Sequence, residues 1–186
     1  MIAPDFPKNE FQRQHEVEKY QLLDTLPVES YDSITALMSH VCEVPISLVT
    51  LLDNDRNFLV SHHGIPFNED PRERSFCGHA ILNKEDIMII PDASKDERFF
   101  DNPLVSEMGV RFYAGAPLVN PNGYKLGTLC IYDMQPKELT DEQVTALVNM
   151  AKQAMIVMES HYQNLLLKQS QLDLIQRNKD LKKFAA

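Results

Sequence analysis

No apolar run in this 186-residue sequence approaches the roughly 18 residues that a membrane-crossing helix needs, which excludes a span of that kind. Basic charge is also short: 18 Lys and Arg stand against 27 Asp and Glu, a formal net charge of −9. Nucleic-acid binders concentrate cations against phosphate, so this balance argues against such a partner. Cysteine occurs only three times, as Cys42, Cys77 and Cys130. An odd number at scattered spacing does not read as a disulfide framework and predicts reduced thiols in the cytoplasm. The opening MIAPDFPKNE has neither a basic n-region nor an apolar core, so no secretory signal is expected. P-loop, GxGxxG, HExxH and GxSxG patterns are all missing.

What is present suits one globular domain with extensions: 44% of residues are hydrophobic and 24% charged. The centre of the chain is RFYAGAPLVNPNGYKLGTLCIYD, residues 111–133. Two apolar runs flank Pro121-Asn122-Gly123, and Asn-Gly reaches positive φ at low cost, so the stretch predicts an antiparallel β-hairpin. Both runs are apolar at nearly every position, which predicts a sheet covered on both faces. Ala114, Gly115, Ala116, Gly127 and Thr128 leave little side-chain bulk, so a packed helix or a ligand approaches closely there.

Before the hairpin, a first helix is expected from Asn9, as N-cap, to about Leu23, with Phe11, Val17, Tyr20 and Leu23 as its apolar stripe. A second runs from about Ser30 to Cys42, with Ile34, Leu37, Met38 and Val41 inward. PISLVTLL (45–52) reads as a central strand, DNDR as a hydrogen-bonded turn, and residues 57–63 as a second strand. Residues 64–110 predict a polar connection, a short helix over 75–82, a strand at 87–90, and a brief helix from Asn102-Pro103 to Met108. Such cover encloses a small molecule against a sheet.

Two groups suggest chemistry. Cys77-Gly78-His79 pairs a thiol with an imidazole, as in metal sites and nucleophile–base pairs, but the other ligands or the oxyanion hole are not identifiable. A structural Cys and a hydrogen-bonded His remain the alternative. Asp92, Asp96, Arg98, Phe99, Asp101, Asn102 and Arg111 mix both charges. They either cap and pair across a loop, or present Arg98 or Arg111 to an anionic ligand beneath a lid.

After a capping-box pattern at Thr140–Gln143, no Pro or Gly interrupts the sequence to its end. A helix of that length is about 65–70 Å long, against about 30–40 Å for a domain of this size. Its first half can pack on the sheet, while its second half must leave it. Val144, Val148, Ala151, Met155, Met158, Tyr162, Leu165 and Leu172 follow a 4-3 spacing broken at Gln169, and Leu167, Leu174 and Leu181 form a sevenfold row. Such rows predict a parallel homodimer.

SFCGHAIL (75–82), PDASKDERFFDNPLV (91–105), GVRFYAGAPL (109–118) and GYKLGTLCIYD (123–133), led in by YQLLDTLP and PISLVTLLDNDR, together resemble the bacterial GAF domain found at the front of sensor histidine kinases and diguanylate cyclases. The resemblance implies an α+β fold: a six-stranded antiparallel sheet, terminal helices on one face, and a loop-covered pocket on the other. It implies a cytoplasmic sensory module without catalysis of its own, whose unidentified small-molecule ligand would meet Cys77, His79, Asp92, Arg98, Phe99, Arg111, Tyr113 and Thr128. No metal site is expected. Residues 178–185 also resemble the segment preceding the phospho-accepting His-Asp motif of histidine kinases. The expected divisions are an N-terminal helix (1–24), the GAF body (25–158) and a coiled-coil signalling helix (159–186). Competing expectations are a GAF-fold thiol enzyme acting through Cys77 or Cys130, similar to the methionine sulfoxide reductases of the family, a ligand-free dimerisation spacer, and a sensor for a diguanylate cyclase.

Overall fold

The computed structural model describes residues 1–185, so the last position of the expected 159–186 segment lies outside it. The elements in order are α1 (Glu10–Lys19), α2 (Glu29–Val41), β1 (Ile46–Leu52), β2 (Arg56–His63), β3 (Glu69–Pro71), α3 (Phe76–Ala80), β4 (Met88–Ile90), α4 (Pro103–Ser106), β5 (Phe112–Val119), β6 (Lys125–Asp133) and α5 (Asp141–Ala185). The strands form one antiparallel sheet in the order β3-β2-β1-β6-β5-β4. The hairpin reading of residues 111–133 holds: Gly123 takes φ +85°, and its N–H donates to Asn120 O at 2.9 Å.

Continuous apolarity in β1, β5 and β6 is explained by a core on each face. Val49, Leu51, Phe112, Ala114, Leu129 and Ile131 meet α2 and α5 on one side. Leu48, Leu59, Tyr113, Cys130 and Tyr132 meet α3 and the loops on the other. Ala114 and Ala116 therefore answer to a helix. Gly115 has a different reason: a Cβ there would lie 2.1 Å from the Tyr113 hydroxyl, which occupies that space. Gly127 lets β1 and β6 approach, since a Cβ would sit 1.8 Å from the Thr50 carbonyl oxygen. A backbone atom cannot step aside cheaply. Gly127→Ala is thus expected to cost at least about 2 kcal/mol in urea unfolding, and an unchanged midpoint would contradict that packing.

Several local expectations need correction. The first helix stops at Lys19, and Gln21 and Asp24 adopt positive φ. Asn9 makes no side-chain cap, and Phe11 is exposed; Val17 and Tyr20 are buried as expected, and Arg13 and Gln14 take the inward place that Phe11 does not. Its amphipathicity was misread because the buried side chain that anchors it is a cation. In α2 the inward face is Tyr31, Ile34, Thr35 and Met38, with Leu37 largely exposed. The polar connection after His63 contains β3, a three-residue edge strand paired with β2. EDP has no strand propensity of its own and forms by pairing.

The end signals read well. Asn102 Oδ1 accepts from Leu104 N–H at 3.0 Å with Pro103 in the first turn. Thr140 and Gln143 cap reciprocally at 3.0 and 3.2 Å. Helix α5 runs 45 residues. Leu147, Ala151, Ala154, Met155 and Met158 pack against the sheet and α2, and Tyr20 closes the exit with a 2.7 Å hydrogen bond to Glu159 and a ring contact to Tyr162. Leu166, Leu167, Leu172, Leu174, Ile175 and Leu181 beyond that point are exposed. The sheet therefore takes the first half of the 4-3 row and leaves the rest open.

Candidate functional site

The loop face of the sheet holds a cavity of about 50 Å³. Ile46 and Leu48 of β1 and Leu59 of β2 form its floor, Tyr132 of β6 one wall, and Phe67, Leu104 and Met108 its cover. Asn57, at the start of β2, also lines it. This side chain is only 3% exposed, yet its Oδ1 has no hydrogen-bond partner among the described residues. A buried acceptor without a donor costs roughly 1–3 kcal/mol, and it can be relieved by a ligand or by water. The volume admits a few waters or one small polar group, since each water needs about 10–15 Å³. A larger ligand has to displace the cover.

None of the eight residues singled out from the sequence lines this cavity. Three of them meet behind its Tyr132 wall. Thr128 Oγ1 donates to Cys77 Sγ at 3.1 Å, Tyr113 donates to it at 3.4 Å, and the Tyr132 hydroxyl lies 3.8 Å away. Cys130 Sγ completes the group at 3.6 Å. Every member is fully or almost fully buried. Burial pushes the Tyr113 and Tyr132 hydroxyls well above their ordinary pKa, so both remain donors.

His79, Arg98 and Phe99 form a second group at the outer edge. The His79 ring bonds Ile2 O at 2.8 Å and stands edge-on to Phe99, which packs on Phe76. Burial lowers the His79 pKa, which keeps the ring neutral. Arg98 grips Asp96 with Nε at 3.0 Å and Nη2 at 2.9 Å. Arg111 Nη1 donates to Val105 O and Val110 O. Asp92 Oδ1 caps Ser94 N–H at 3.1 Å. These charges brace the loops, and the forks of Arg98 and Arg111 point at partners within the chain. Asn57 and Tyr132 were missed. A polar residue inside the apolar NFLV run was the available signal for Asn57; Tyr132 gave none.

Comparison with known proteins follows the same lines. The chain is 37% identical over 157 residues to a cyclic di-GMP phosphodiesterase of Pseudomonas aeruginosa, covering 83% of this chain but 27% of that protein. The fold matches the GAF domain of an Acinetobacter phosphoenolpyruvate-protein phosphotransferase with a TM-score of 0.61 at 19% identity, over 83% of this chain and 95% of that one. It matches a domain described as part of a two-component sensor histidine kinase from Sinorhizobium meliloti at 0.60 and 15%, over 75% and 96% of the two chains. A bacteriophytochrome of R. palustris aligns at 0.63 and 15%, over 92% of this chain and 41% of that one. The GAF domain family model matches residues 27–158, and this chain, with its six-stranded sheet and covered loop face, belongs to the GAF domain family.

Proposed function

We propose that this chain is a cytoplasmic regulatory module: a small molecule enters the loop-face cavity, and α5, paired with the same helix of a second copy, carries the change to an output domain. In this reading residues 25–158 are the sensor body, 159–186 the signalling helix, and 1–24 a helix fastened to the body. The observation that carries it is the unpartnered Asn57 Oδ1 in a largely apolar cavity, on a sheet whose opposite face holds α5. Binding that displaces the cover shifts the sheet under α5, and the helix pair converts that shift between two arrangements. Cys77, Tyr113 and Thr128 shape the Tyr132 wall, while His79, Asp92, Arg98, Phe99 and Arg111 hold the cover in place.

A histidine kinase is the output favoured by the tail, whose residues 178–185 resemble the kinase lead-in, and by the Sinorhizobium structural match. The Pseudomonas relative favours a second reading, in which the same module governs cyclic di-GMP turnover.

Asn57→Leu tests the ligand site. It removes the unpaired acceptor, so the ligand-free chain should melt at the same temperature or higher, while the small molecule extracted from purified protein falls about tenfold or more. Equal recovery from both proteins contradicts the site. Empty extracts from both favour a ligand-free spacer, and turnover of free methionine sulfoxide favours a thiol enzyme.

A further inference from the structure

Cys77 on α3 and Cys130 on β6 face each other with their sulfurs 3.6 Å apart and no bond between them. Their surroundings are not those of two inert core thiols. Thr50 Oγ1 accepts the Thr128 N–H at 3.1 Å, which frees the Thr50 hydroxyl proton for Thr128 Oγ1 at 2.9 Å. Thr128 in turn donates to Cys77 Sγ, where the Tyr113 hydroxyl also arrives, admitted by the missing side chain of Gly115. The Tyr132 hydroxyl and the Cys130 thiol, each able to donate or accept, complete a shell of four proton-bearing groups around one sulfur. A neutral thiol is a weak acceptor with one proton of its own, and a shell this rich is what a thiolate uses in place of water. Burial alone would raise both thiols; around Cys77 the donors outweigh it and its pKa falls, whereas that of Cys130 rises. Cys42 sits in the core on the other face, where burial pushes it up to about 11.

Access comes through the cavity, because Tyr132 both lines it and stands beside the Cys77 sulfur. The partner sulfurs need to close by about 1.5 Å to reach disulfide length. Cys77 lies on a five-residue helix between loops, which is easier to shift than a strand at the centre of the sheet.

We propose that Cys77 and Cys130 form a reversible oxidation site that a small hydroperoxide closes into an intramolecular disulfide. The Cys77 thiolate attacks the peroxide, the O–O bond breaks, and Cys77 becomes a sulfenic acid as water or alcohol leaves with a proton. Cys130 then attacks that sulfur, the S–O bond breaks, and the Cys130 proton departs with hydroxide as water. In sum two thiols lose two electrons and two protons to one peroxide, and a dithiol reductant returns them. Closure ties α3 to β6 and removes the acceptor that orients Tyr113 and Thr128, so it reshapes the Tyr132 wall.

The test is non-reducing peptide mapping of the reduced, folded full chain after brief exposure to tenfold excess hydrogen peroxide and alkylation. The expected product is a Cys77–Cys130 cross-linked peptide in a chain lighter by two hydrogens, restored by dithiothreitol. Cys42 should be modified at least about tenfold more slowly. Cys130→Ser should halt at a sulfenic acid on Cys77 that dimedone traps. Two free thiols after peroxide, oxidation mapping first to Cys42, or only cross-links between chains would overturn the proposal. The wild-type map decides the matter even if the serine variant folds poorly.

Discussion

Arg13→Met is expected to lower unfolding stability by about 3–5 kcal/mol, the loss seen when one member of a buried ionic group is removed. Arg13 is 1% exposed, yet its guanidinium is fully engaged: Nη2 donates to Leu52 O at 2.6 Å, Nη1 to Leu126 O at 3.2 Å, and Nε to Glu10 at 2.8 Å. Arg72, also buried, donates to the same Glu10 at 2.6 Å and to Asp53 O at 2.8 Å. One carboxylate between two cations thus ties α1 to the ends of β1 and β6. Methionine fills similar space but leaves the carbonyls of Leu52 and Leu126 without this donor. The same group gives a pH signature. Burial alone would raise the Glu10 carboxyl, but the hydrogen bonds and charges of Arg13 and Arg72 outweigh it, and its pKa lies below the ordinary 4.5. A depressed folded-state pKa means stability that is complete above the unfolded value and lost as pH falls through the folded one. The gap between wild type and Arg13→Met should therefore narrow as urea unfolding is repeated below about pH 4. A difference under about 1 kcal/mol at pH 7 would show that this triad does not anchor α1.

Replacing Leu167, Leu174 and Leu181 together by lysine is expected to weaken self-association at least about a thousandfold, with the body unaffected. These side chains are 63%, 56% and 66% exposed and lie far from the core, so the substitution removes nothing the single chain uses. Lysine is a good helix former, so α5 keeps its local propensity. Each leucine buried in a helix pair contributes about 1.5–3 kcal/mol, and three add up to several powers of ten. Sedimentation equilibrium should shift from dimer to monomer while thermal unfolding of the body stays within a few degrees. Unchanged association would place the interface on another surface.

Much of this architecture was legible in the sequence because its signals are local. Asn122-Gly123, Asn102-Pro103 and Thr140–Gln143 each fix a chain end or turn through groups a few residues apart. The doubly apolar runs required two cores, and the GAF resemblance supplied the strand count. Failures came where distant partners decide. Residues 69–71 become a strand through pairing with β2, and Arg13 turns inward because carbonyls from two strands await it. The candidate site was legible in pieces: Cys77, Tyr113 and Thr128 do converge, but Asn57 and Tyr132 lie on strands whose registers set what faces the cavity. A one-residue bulge, such as that between Val49 and Thr50, shifts such a face, and no local motif announces it.

Native mass spectrometry of the freshly purified chain reads both halves of the central claim at once, namely that an occupied cavity is joined to a paired helix. The expected spectrum is a two-chain species carrying additional small-molecule mass that collisional activation removes. Single chains of bare polypeptide mass at the same concentration would contradict it.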